Sequence, residues 1–143
     1  KIYMCGGKTE LGAAVKSLER FDPQAGVWEA LPPMQFPRWG LSTTVLDGRL
    51  YACGGCDEFM RAGKITERFD PLGFWEVNAP MLESRAWAAA GHVGGVLYVC
   101  GGRRQEELLS SVERFRPATG TWEIGPPLHV ARSGACSASA SQR

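Results

Sequence analysis

Apolar residues in this chain gather into short runs broken by Gly, Pro and Asp, and no stretch of helix length carries a convincing helical period. The unit from Pro37 to Met81 shows the pattern in full. Leu41 to Leu46 is small and apolar, Asp47-Gly48 interrupts it, and Leu50 to Gly55 is apolar and ends on a glycine pair. Ile65 to Phe69 is the third run; Asp70-Pro71 breaks the pattern before Trp75 to Val77. Runs of strand length bounded by turn residues predict strands. Asp-Gly tolerates positive φ and predicts a tight hairpin between the first two, while Pro71 fixes φ in the turn before the fourth.

The rest of the chain repeats this unit. Gly6-Gly7, Gly54-Gly55 and Gly101-Gly102 are spaced by 48 and 47 residues, as are Tyr3, Tyr51 and Tyr98. Trp28, Trp75 and Trp122 lie 47 apart, and so do Arg38, Arg85 and Arg132. Glu-Arg-Phe recurs at Glu19, Glu67 and Glu113. Several residue types sharing one period mark a repeat architecture. The other copies predict strands at Ile2 to Gly7, Val15 to Phe21, Trp28 to Leu31, Ala86 to Val93, Val96 to Gly102, Val112 to Phe115 and Trp122 to Ile124. A first strand of a last copy is predicted at Ser133 to Ser141.

A lone sheet of four short antiparallel strands cannot bury its apolar faces. Such sheets packed face to face around an axis can, which predicts an all-β propeller with one blade per repeat. The order Arg, small apolar strand, Asp-Gly, Leu-Tyr, Gly-Gly, Glu-Arg-Phe-Asp-Pro, Trp, Pro-Met resembles the Kelch repeat. The resemblance covers almost the whole chain in three copies. It implies a Kelch-type β-propeller whose small apolar strand lies innermost and whose Trp strand lies outermost. The third copy departs from it, with Arg116 where the others carry Asp22 and Asp70 and a loop after Gly-Gly one residue shorter. The blades are expected at 38–84 and 85–131, with a split blade made of 1–37 and 132–143.

The net charge of +1 makes no electrostatic case for nucleic acid or an anionic membrane, and no apolar run approaches the roughly 20 residues of a membrane helix. Five cysteines, three of them at one repeat position, argue against a disulfide framework and point to a reducing, cytoplasmic setting.

Candidate chemistry is sparse. Cys53-Gly54-Gly55-Cys56 has the form of a metal half-site or redox pair, but Cys53 fills the repeat position of Cys5 and Cys100 and reads as a small buried residue. The glycine pairs precede no helix and lack a Lys-Ser/Thr signature, so they mark close backbone approach, not a phosphate loop. His92 and His129 have no evident nucleophile partner. The recurring Glu-Arg pairs suit a structural ion pair or hydrogen bond, since a catalytic pair would appear once. No enzyme, metal or cofactor is expected.

Residues that break the repeat carry more information about binding. Trp39 and Trp87 lie in the turns before the innermost strands, outside the repeated Trp position. Cys56, Asp57, Glu58 and Phe59 follow the second glycine pair, and Arg103, Arg104 and Gln105 follow the third. The Kelch resemblance implies that these two sets of loops share one rim and form the partner-binding face. Trp and Arg are the types most enriched in binding hot spots. The candidate partner-binding residues are therefore Arg38, Trp39, Asp57, Glu58, Phe59, Arg85, Trp87, Arg103, Arg104, Gln105 and Arg132. For Trp39 and Trp87, packing between blades remains an equal alternative.

The expected function is a protein–protein interaction module. The resemblance implies one use, substrate recognition for a cullin-type ubiquitin ligase adaptor. A structural subunit of a larger assembly is one alternative. An enzyme on a Kelch scaffold, such as an oxidase or sugar epimerase, is another. The chain enters the pattern at a second strand and leaves it at a first strand. Closure is thus expected to need further repeats from the same longer polypeptide, the preferred reading, or a second copy whose residues 132–140 pair with Lys1 to Gly7. On either reading the isolated chain is not expected to be a stable monomer.

Overall fold

A computed structural model describes residues 1–139. Three antiparallel sheets follow one another along the chain. The first contains β1 (Ile2–Cys5), β2 (Leu18–Asp22) and β3 (Val27–Leu31) in that order. The second contains β4 (Ser42–Leu46), β5 (Arg49–Cys53), β6 (Thr66–Asp70) and β7 (Phe74–Asn78). The third is β8 (Ala89–Val93), β9 (Val96–Cys100), β12 (Val112–Arg116) and β13 (Thr121–Gly125). A short hairpin, β10 (Arg103–Arg104) with β11 (Glu107–Leu108), stands on the loop after β9. The all-β propeller architecture read from the repeats is the observed one, with three blades.

The turns work as their residues dictate. Asp47 and Gly48 both take positive φ, +50° and +73°, the hairpin geometry that Asp-Gly favours. Asp70 accepts the Leu72 N–H at 3.0 Å and Asp22 accepts that of Gln24 at 3.0 Å, so each carboxylate builds its own turn. Arg116 cannot do this; the Gly120 N–H closes that turn on the Arg116 carbonyl at 2.8 Å. Its side chain turns instead to Glu123, 3.5 Å away.

The core lies between blades. Leu46, Tyr51 and Cys53 of the second blade meet Leu97, Val99, Phe115 and Trp122 of the third, with Met81 from the connecting loop. Leu18 and Met34 meet Leu50, Ala52, Phe69 and Trp75 in the same way. The repeated Trp crosses each junction: Trp75 Nε1 donates to the Pro32 carbonyl at 2.8 Å and Trp122 Nε1 to that of Ala79 at 2.9 Å.

A buried ion pair completes each junction. Arg38, from the turn between the first two blades, donates to the carbonyls of Gly54, Ile65 and Ala52 and to Glu67 Oε2 at 2.8 Å. Arg85 repeats this one blade on, with the carbonyls of Gly101 and Ser111 and with Glu113 Oε1 at 2.8 Å. Each glutamate also accepts backbone N–H groups from the loop leaving the previous blade: Gln35 for Glu67, Leu82 and Glu83 for Glu113. At Glu67 and Glu113 the recurring Glu therefore has the structural role read from its recurrence. The recurring Arg beside it pairs across to the outer strand, Arg20 with Glu29, Arg68 with Glu76 and Arg114 with Glu123.

Some boundaries differ from expectation. Residues 15–17 and 86–88 are not strand, because both run into the loops that cross the glycine pairs. The strand expected at Ser133 to Ser141 is absent over residues 133–139; residues 140 and 141, like the last residue of the expected 132–140 pairing segment, lie outside the described residues. Residues 137 and 139 touch the third blade through hydroxyls, Ser137 Oγ donating to Ala90 O at 2.6 Å and the His92 N–H donating to Ser139 Oγ at 3.2 Å. A ladder needs a backbone partner on the other side, and β1 pairs only with β2.

Trp75→Ala is expected to lower stability by about 3–5 kcal/mol, the cost of emptying a large aromatic site in a core. Arg103→Ala should leave it nearly unchanged. Thermal melts of the two variants check this, and equal melting temperatures would remove Trp75 from the core.

Candidate interaction surface

The loops expected to share a rim do meet, and backbone bonds hold them together. Trp39 N donates to Cys56 O at 3.1 Å and Cys56 N to Trp39 O at 2.8 Å, tying the turn before β4 to the loop after β5. Ala86 and Arg103 exchange the same pair of bonds at 3.0 and 2.8 Å, tying the turn before β8 to β10. The glycine pairs permit this crossing. A Cβ on Gly54, at φ +63°, would sit 2.2 Å from the Arg85 carbonyl oxygen, so no other residue fits there.

On this rim the single-copy aromatics form a row. Trp39 and Trp87 pack edge to face with ring centres 5.1 Å apart. The Lys8 ammonium lies 4.3 Å from the centre of Trp39, and the Arg103 guanidinium 5.7 Å from the centre of Trp87. Both indoles are half-buried, so each packs between blades and faces solvent. Lys8 was missing from the sequence-derived set because the first repeat's loop offers no aromatic or arginine to flag it.

The two tryptophans are not equivalent. Trp87 aligns with Gly40 and Gly134, and all three take positive φ: +51°, +62° and +69°. Trp39 aligns with Ala86, one position earlier. A bulky residue in the left-handed region is a strained exception, costing about 1–3 kcal/mol. Backbone bonds on both sides hold it: Trp87 N to Gly40 O at 2.7 Å and Gly134 N to Trp87 O at 2.8 Å. The indole lies directly over Gly40, where a Cβ would meet its Cε2 at 2.8 Å.

Other expected site residues are placed differently. Arg38 and Arg85 are corrected from the rim to the interior: both are buried in the ion pairs with Glu67 and Glu113 and offer a partner nothing. Burial pulls the Arg38 pKa below its ordinary value, against the Glu67 charge that raises it. Arg132 is exposed, and its guanidinium reaches only the Val130 carbonyl, at 3.4 Å. Asp57 organises its own loop, accepting the N–H groups of Phe59 and Arg61 and the Arg61 guanidinium at 2.8 Å. Desolvation pushes its pKa up, but these bonds outweigh that and hold it below the usual value. Its backbone carbonyl takes the Trp39 Nε1–H at 3.1 Å. Glu58 and Phe59 are exposed at the loop tip, with the Arg61 guanidinium 5.0 Å from the Phe59 ring centre. Arg104 pairs with Glu107 at 2.5 Å and Glu83 at 3.3 Å, and Gln105 takes φ +53° at the tip of the hairpin.

A groove of about 430 Å³ between the second and third blades contains Lys64, Glu83, Arg104 and Ser111, with Glu83 bonded to Ser111 at 2.5 Å and to Arg104. Burial pushes the Cys53 and Cys5 thiols up to about 12, Arg38 opposing it in both. Cys56 Sγ rests 3.6 Å from the Trp39 carbonyl oxygen. Among the described residues no group of three or more His, Cys, Asp or Glu converges as a metal site would require.

Comparison with known proteins gives the same architecture. The sequence model of the Kelch motif matches residues 1–35, 37–74 and 84–129. The solved structure of YjhT superposes with a TM-score of 0.76 at 18% identity, over 92% of this chain and 50% of that one. The chain thus spans about half the length of that protein. A sequence search of curated proteins finds no match.

Thiol labelling of the native protein should modify exposed Cys136 quickly and buried Cys53 only on unfolding. Mass mapping after a short pulse checks this; early label on Cys53 would show that the second blade opens.

Proposed function

Because the chain belongs to the Kelch motif family, we propose that it is a protein–protein interaction module that takes its partner on the rim carrying Lys8, Trp39, Trp87 and Arg103. The observation that carries this is Trp87. A glycine position holds the largest side chain at positive φ, and strain of this kind gathers where function requires it. The strain presents an indole beside a second indole, with a cation at each end of the row. Aromatic and arginine anchors in a water-excluding surround make binding hot spots.

A binding role fits better than a catalytic one, since Arg38 with Glu67, Arg85 with Glu113, and Asp57 are engaged in holding blades and turns. The finer reading is substrate recognition for a cullin-type ubiquitin ligase adaptor in the cytoplasm. It rests on the family resemblance, and co-purification of a cullin with the full-length protein tests it.

The rim is tested with partners captured by the wild-type domain. Trp87→Gly removes the indole and relieves the backbone strain, so stability should change by no more than about 1 kcal/mol. Binding should weaken by about 2 kcal/mol or more, and Arg103→Ala by about 1 kcal/mol. Partner affinity that survives Trp87→Gly, Trp39→Ala and Arg103→Ala, measured by calorimetry, would overturn the assignment. It would favour a structural subunit that binds through another face.

A further inference from the structure

The loop after β9 is tied to the blade before it, whereas the loop after β5 is tied to itself. We propose that Glu83 is a positioning residue of the rim: through Arg104 it latches the β10–β11 hairpin to the second blade, and so sets where Arg103 stands over Trp87. The inference deepens the rim reading and rests on it for its use in binding.

The two loops meet one need differently. In the second blade Asp57 fastens its own loop, accepting the Phe59 and Arg61 N–H groups and the Arg61 guanidinium. Arg104 holds the same repeat position, 47 residues on, and its side chain can accept nothing. What the third loop has of its own is slight. β10 and β11 pair over two residues each, and a lone two-stranded hairpin is marginal in water. Arg103 meets Glu106 at 3.2 Å, but the Glu106 side chain is 99% exposed, so solvent screens the pair.

The outside tie is Glu83. It lies 47 residues after Phe36, and Ser111 takes the place of Ile65, since Gly101 N bonds Ser111 O as Gly54 N bonds Ile65 O. Where the first junction carries two apolar side chains, the second carries a carboxylate and a hydroxyl. The Glu83 N–H donates to Glu113 Oε1 at 3.0 Å. Its Oε2 accepts the Ser111 hydroxyl at 2.5 Å and the Arg85 guanidinium at 3.1 Å. Its Oε1 reaches Arg104 Nη1 at 3.3 Å. One carboxylate thus joins the buried Arg85–Glu113 pair to the exposed hairpin.

Successive side chains of a strand point to opposite faces. Arg104 therefore enters the groove beside Glu83, while Arg103 lies over Trp87. The Ala86 bonds hold the Arg103 backbone along one line and leave roll about that line free. The Glu83 contact adds a second point of attachment, and a hairpin held at two points cannot roll Arg103 off the indole.

Hydroxyl-radical footprinting with mass mapping tests this, because it reads each indole separately and needs no partner. Arg103→Ala should raise Trp87 oxidation by uncovering the ring. E83Q and R104Q cut one contact from its two ends, and each should raise Trp87 oxidation toward that level with Trp39 and Trp75 unchanged. In an R103A background neither should add to it. Amide exchange over residues 104–108 should quicken about two- to fivefold in each, the range of a partly exposed ion pair. Exchange unchanged in both variants, or Trp87 oxidation rising together with that of Trp39 and Trp75, would overturn the proposal. Binding lost in Arg103→Ala while both variants keep the wild-type footprint and exchange would keep the rim and remove Glu83 from it. Shifted footprints with binding intact in Arg103→Ala would uphold the latch and count against the rim reading instead.

Discussion

The structure depends on a guanidinium buried where two blades meet. Arg38 and Arg85 leave the turn between blades and cross the face of the following sheet, gathering the carbonyls of Gly54 and Ile65 in one blade and of Gly101 and Ser111 in the next. Glu67 and Glu113 neutralise them and, with their remaining capacity, accept N–H groups from the loop out of the previous blade. Burying two charges is expensive, and an ion pair of this kind is weak evidence of net stabilisation; what it enforces is one arrangement, because an unpaired charge there costs several kcal/mol. The surrounding contacts of Leu, Tyr, Phe and Trp are non-directional. The arginine therefore sets the register between blades, and the apolar contacts supply most of the driving force.

Placing the arginine inside also shapes the surface. Its backbone carbonyl lies against the glycine pair of the blade before, so the turn continues straight to the rim. The residues after it, Trp39 in one turn and Ala86-Trp87 in the other, are delivered there by a buried anchor. A rigid junction beneath variable loops is how a repeat scaffold separates stability from recognition. At Trp87 the backbone keeps the left-handed conformation that Gly40 and Gly134 adopt without cost, while the side chain joins the aromatic row.

Much of this was legible in the sequence because a repeat displays the same physics several times. Strand runs, hairpin glycines and the interior Trp follow from period and composition. The structural use of Glu67 and Glu113 followed from recurrence as well, but their partners did not. Arg38 and Arg85 recur just as regularly, yet the rim implied by the resemblance and the enrichment of Arg in hot spots put them on the binding face; only the fold shows that both side chains point inward. The offset between Trp39 and Trp87 was visible in the spacing of Gly40 and Gly134, although positive φ at a tryptophan is not something composition predicts. The β10–β11 hairpin and the placement of residues 133–139 depend on what lies beside them, and adjacent blades are tertiary information.

A double-mutant cycle at Arg85 and Glu113, read by equilibrium unfolding, tests the role of the buried pair most directly. Arg85→Met and Glu113→Leu should each cost about 3–5 kcal/mol, because each leaves a buried charge alone. The double variant should lose much less than the two together, with a coupling above about 1 kcal/mol. Costs that add to within about 0.5 kcal/mol would contradict the account, for they would mean that the guanidinium and the carboxylate do not sense each other across the junction.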